Sequence, residues 1–127
     1  MSTVPPGLPA ALQALDHALD APRRPGIPLG NWRWLVRQRM GTVRDVLVGE
    51  AAGSDDGWLA ARGGTAFRER NALLARLSTL GPQILETPDI EGTRMELKRL
   101  LMDIQRHVQR LNDLAYDEVE LELGGSE

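Results

Sequence analysis

The sequence predicts an all-α fold, an antiparallel bundle of three long helices with a short helix ahead of them. Three observations carry this. From Pro88 to Tyr116, Ile90, Leu97, Ile104 and Leu111 recur at seven-residue steps, flanked by the rows Thr93, Leu100, His107, Leu114 and Leu101, Val108, Ala115. A stripe three positions wide in every seven belongs to a helix packed against others. Aromatic residues make up only 4% of the chain, so a core must be built from Leu, Val, Ile and Ala, which suits helices better than a β-sandwich. Clusters of Gly and Pro then divide the remainder into segments of helical length.

Residues 1–7 are small and Pro-rich and predict a disordered N-terminus. A short helix over 9–20 follows, with Leu8, Leu12, Leu15 and Leu19 on one side, Pro9 in the first turn and Pro22 after the end. Too short to be stable alone, it must dock on the rest. Pro22, Pro25, Gly26, Pro28 and Gly30 make a linker. Asn31 is the expected N-cap of a helix over 31–52 with Trp32, Val36, Met40, Val43 and Leu47 as its buried stripe.

Gly53 to Gly57 read as a turn, and a third helix is expected over 57–80 with Leu59, Ala66, Leu73 and Leu80 in one row and Phe67, Leu74 and Leu77 beside it. Gly63-Gly64 should kink or break it, at about 1 kcal/mol each against alanine, with Thr65 restarting it as an N-cap. Leu80-Gly81-Pro82 should end it. Thr87 and Pro88 open the last helix, over 88–118, with Asp89 and Glu91 near the positive end of its dipole. Short connections make successive helices antiparallel. The expected organisation is one helical domain over 8–118 and an acidic flexible tail over 119–127.

The 127 residues suffice for one domain with a real core. The absence of cysteine excludes disulfides, thiolate metal sites and a cysteine nucleophile. No secretory leader and no membrane span is evident, so a cytoplasmic location is expected and a membrane partner is not. The net charge of −3 is unevenly spread. Arg23, Arg24, Arg33, Arg37, Arg39 and Arg44 fall where no acid lies between Asp20 and Asp45, whereas Asp117, Glu118, Glu120, Glu122 and Glu127 follow Ala115 without a base. Such ends attract each other within one molecule or between copies.

Two outward surfaces are candidates for partner binding. With Trp32 in the core, Trp34 lies across the helix in a row with Gly41 and Val48, a tryptophan beside a glycine notch. The alternative is that the N-terminal helix covers it. On the last helix, Met95, Met102 and Tyr116 lie opposite the core stripe, with Gln109 in the gap, unless that helix is central and buried on most sides. Arg33, Arg37 and Arg44 share a flank that suits an anion or nucleic acid, but nucleic-acid binders are usually basic domains, so a solvated face with ion pairs is favoured.

Little else offers chemistry. His107 lies in the core row, and a hydrogen bond to a neighbour, with Asp103 and Arg110 near, explains it better than a metal for which no further ligands stand at the right spacing. Asp55-Asp56 lacks the rest of a calcium loop, Gly63-Gly64-Thr65 lacks the lysine of a phosphate loop, and Ser54, Ser78 and Ser126 have no evident triad partners. Val119-Glu-Leu-Glu-Leu123 alternates as a strand does, yet Leu121 also continues the Leu100/Leu114 row, and a helix running on is the favoured reading. No catalytic residue, metal ligand or cofactor is expected.

The run Leu111 to Gly125 resembles the ends of small uncharacterised all-helical proteins of actinobacteria, and the arginine-rich composition, with Lys98 the only lysine, is similar too. The resemblance implies no activity. Tyr116-Asp-Glu-Val-Glu120 also resembles the tyrosine-x-x-x-acid signal after the helical hairpin of type VII secretion substrates, although those carry Trp-x-Gly in the hairpin turn where this chain has Leu80-Gly81-Pro82. The expected function is therefore non-catalytic protein binding, with itself (a homodimer or larger) or another protein. A secretion substrate or chaperone is the alternative, and anion or nucleic-acid binding the third reading.

Overall fold

The computed structural model describes residues 7–21, 28–53 and 64–125, with side chains described as far as Gly49 in the second stretch and Asp113 in the third. These residues form four helices and no strand: α1 Leu8–Asp20, α2 Leu29–Gly53, α3 Thr65–Glu86 and α4 Ile90–Gly125.

In α1, Leu8, Leu12, Leu15 and Leu19 are all buried, as their spacing requires, and Ala11 and Ala18 complete the face. Helix α2 starts earlier than expected. The Trp32 backbone N–H donates to Pro28 O at 3.1 Å, so Asn31 sits inside the first turn and is not the N-cap. Starting at Leu29 carries Trp32 into the core, where its indole N–H donates to the Ala18 carbonyl at 2.9 Å. The stripe Trp32, Val36, Met40, Val43 and Leu47 is buried throughout.

Helix α3 departs from expectation at both ends. Its N-cap is Gly64, at φ 73°, rather than Thr65. Backbone in that left-handed region disfavours any residue with a Cβ, and glycine occupies it freely. The expected stretch 57–63, with Leu59, lies outside the described residues. At the other end the helix runs through Gly81 and Pro82 to Glu86 instead of stopping at Leu80. Proline inside a helix costs about 3 kcal/mol. Burial of Leu80 and Ile84 on either side, at about 1.5–3 kcal/mol each, offsets that. Gly81 also admits the Arg37 guanidinium, whose Cζ and Nε lie 3.1 Å from where a Cβ would stand.

Helix α4 starts at Ile90, two residues beyond Pro88, because Asp89 supplies the cap. Its Oδ1 accepts the Gly92 backbone N–H at 3.0 Å, while the Thr87 hydroxyl oxygen accepts the Asp89 N–H at 3.1 Å. The helix continues through the acidic segment to Gly125.

Helices α1 and α3 each touch both α2 and α4. Contacts along α4 occur in reverse order to both neighbours. Glu69 meets His107 and Arg110 whereas Arg76 meets Asp103, and Leu12 shares a groove with Val108 whereas the Leu19 carbonyl binds Arg94. No described helix is long and apolar enough to cross a membrane.

Candidate functional site

The two outward rows are placed differently from the core stripes beside them. Trp34 is 59% exposed and Val48 is exposed with it, while Gly41 between them is half-buried. Helix α1 packs on α2 but covers Trp32, two residues away and most of half a turn round the helix. Met95 and Met102 are each 54% exposed on α4, so that helix is not buried on most sides. Tyr116 belongs to the helical stretch whose side chains lie outside the described residues. Because α1 and α3 flank both α2 and α4, the Trp34 row and the Met95–Met102 row face away from one another. They form two surfaces rather than one patch.

The arginine flank of α2 is occupied by packing. Arg33 donates to Ile84 O at 3.3 Å, Arg37 lies over Gly81, and Arg44 pairs with Asp45 at 3.6 Å on the surface. The first two are turned toward α3 and do not converge with Arg44 on a common anion position.

Sequence reasoning missed a charged cluster that joins α1 to α4. Arg94 is 4% exposed and uses its whole guanidinium edge: Nε donates to Leu19 O at 2.9 Å, one amino group to Glu91 at 2.8 Å and the other to Asp20 at 2.7 Å. Together with the Trp32 indole, which shares the Ala18 carbonyl with the Ala21 backbone N–H, it supplies side-chain donors to the last carbonyls of α1. Lys98 bonds Asp16 at 2.6 Å and Asp20 at 3.2 Å. The Arg94 and Lys98 hydrogen bonds hold the Asp20 carboxyl below the usual carboxylate range. Burial pulls Lys98 down, but its bonds to Asp16 and Asp20 outweigh that and leave its pKa raised. A signal existed in the sequence: Arg94 and Lys98 sit four apart beside the core row, and Asp16 and Asp20 sit four apart on α1.

His107 is a buried interface histidine, 1% exposed. Its Nδ1 lies 2.6 Å from a Glu69 carboxylate oxygen, whose partner oxygen accepts from Arg110. The carboxylate makes Nδ1–H the donor, and Nε2 has no hydrogen-bond partner among the described residues. Arg110 is linked to His107 through the Glu69 carboxylate that both bond. Asp103 instead pairs with Arg76 at 2.7 Å, and Glu69 was not foreseen. No group of three His, Asp or Glu side chains among the described residues is arranged to hold a metal. Gly63, Asp55, Asp56, Ser54 and Ser126 lie outside the described residues, and Ser78 is simply exposed on α3. Open grooves lie between neighbouring helices, one of about 550 Å³ between α1 and α2, lined by Ala14, His17, Leu35 and Arg39, and one of about 340 Å³ between α3 and α4, lined by Arg76, Gln83 and Arg99.

Comparison with known protein families, with curated proteins and with solved structures returns no match.

Proposed function

We propose that this chain is a non-catalytic antiparallel four-helix bundle that works by binding protein, in the first instance a second copy of itself. The observation that carries the reading is the exposure of Trp34, Met95 and Met102 on regular faces of two long helices. Each such side chain, a little over half exposed, forgoes roughly 1–2 kcal/mol of burial in the isolated chain, which a partner surface would recover. Their seven-residue spacing is what a second helix needs. The reversed order of contacts along α4 supports the antiparallel arrangement. The engaged state of Arg33 and Arg37 argues against a nucleic-acid face on α2.

Light scattering on the purified chain tests this. Stable dimers or larger species are expected, weakened by Met102→Asp or Trp34→Asp with helical circular dichroism unchanged. Assembly indifferent to both substitutions would overturn the assignment of these faces.

A further inference from the structure

Resting on that reading, we infer that α4 pairs with α4 of a second copy, antiparallel, about a two-fold axis at Gln109. Three features of α4 lead there. The first is its length: 36 residues from Ile90 to Gly125, about 54 Å at the helical rise.

The second is the pattern on the outward side. One seven-residue row reads Met95, Met102, Gln109, Tyr116, Leu123, and the row beside it reads Arg99, Arg106, Asp113, Glu120. The first row supplies a mostly apolar centre line and the second a charged flank, both repeating at the seven-residue period of paired helices for about eight turns. Every residue of the two rows with a described side chain, from Met95 to Asp113, is exposed.

The third feature chooses the partner and its direction. The charged row changes sign at its midpoint. A parallel copy would set arginine against arginine and acid against acid. An antiparallel copy sets Arg99 against Glu120 and Arg106 against Asp113. Nearly the same register sets Met95 against Leu123, Met102 against Tyr116, and Gln109 against itself. The two rows agree on the centre to within one residue. Residues on the same flanking row face each other in an antiparallel pair, so the charge pattern of one chain is complementary to its own copy. Such a contact is isologous and closes at two chains. Gln109 at the axis is a polar position in an otherwise mostly apolar row, the usual device for fixing register. The C-terminal half of each α4 then covers the Met95–Met102 face of the other.

A charge-exchange experiment read by light scattering tests the pairing. Arg99→Glu with Arg106→Glu makes the row wholly acidic, and Asp113→Arg with Glu120→Arg makes it wholly basic. Wild type should dimerise. Each double variant alone should dimerise about a hundredfold more weakly, since four exposed pairs per dimer become repulsive. Mixed in equal amounts, the two should form a one-to-one heterodimer, which also shows that both are folded. Double variants that dimerise as well as wild type, or a mixture without heterodimer, would overturn the α4 pairing. If in that case Trp34→Asp dissolved the wild-type dimer, self-association would stand on the α2 face. A wild type that is monomeric at about 100 µM, where any stable homodimer forms, would overturn both the pairing and self-association.

Discussion

Replacing Arg94 by methionine should loosen the junction of α1 with α4 out of proportion to an ordinary ion-pair deletion. Methionine keeps much of the length and volume and removes the charge and all donors. The Leu19 carbonyl, on a residue with no solvent exposure, loses the Nε–H that satisfies it at 2.9 Å. A buried acceptor left unpaired costs about 1–3 kcal/mol. The bonds to Glu91 and Asp20 add little, because those carboxylates are 68% and 49% exposed and such pairs contribute about 0–1 kcal/mol. Relief from burying a guanidinium acts in the other direction. The expected net loss is about 1–3 kcal/mol, measured by urea unfolding followed through tryptophan fluorescence. Lys98→Met, which breaks only half-exposed pairs, should cost about 0.5–1 kcal/mol. An Arg94→Met chain within 0.5 kcal/mol of wild type, or no worse than Lys98→Met, would refute the reasoning.

The same cluster makes stability depend on pH at both ends of the scale. Asp20 has a lowered folded pKa, so its contribution is present above about pH 4 and is lost as the pH falls through the folded value. Lys98 has a raised one, so its contribution is complete below about pH 10 and is lost as the pH rises further; Lys98→Met should flatten the alkaline limb of a melting-temperature profile. Gly49→Ala should stabilise the chain by about 0.5–1 kcal/mol, because its Cβ meets nothing within 4 Å. Gly92→Ala should show no such gain, since its Cβ would stand 2.2 Å from the Asp89 carboxylate that caps α4, and the gain should return in an Asp89→Ala background. Glu69→Ala should cost about 1–3 kcal/mol by stranding the buried His107 Nδ1–H, against under about 1 kcal/mol for Arg110→Ala, both read by chemical denaturation.

Much of this architecture is legible in the chain because helical burial follows a short-range rule. The stripe from Trp32 to Leu47 is buried, and so are Thr93, Leu97, Leu100, Leu101, Ile104 and His107 on α4, as their spacing requires. Element ends were read less well, since each is decided by a contact made elsewhere. Gly81-Pro82 is a stop signal locally, yet Ile84 beyond it fills the core and Arg37 from α2 lies over Gly81. Asn31 is a fair cap residue in isolation, but the chain starts α2 earlier and buries Trp32 against Ala18. The outward rows with Trp34, Met95 and Met102 were visible as periodicity opposite the core. Arg94 and Glu69 were not, because their partners lie 75 and 38 positions away in sequence and a polar residue beside a core row carries no label of what it will face.

The absence of cysteine allows the most direct measurement of how two copies meet. Gln109→Cys places a single thiol at the proposed two-fold axis, and Met95→Cys places one about 20 Å along α4 from it. Under mild oxidation the account predicts a disulfide-linked dimer from Gln109→Cys and almost none from Met95→Cys on a non-reducing gel. Equal cross-linking at both positions would mean a parallel pair. No cross-linking at Gln109 would mean that α4 does not meet its copy there, and either result contradicts the account.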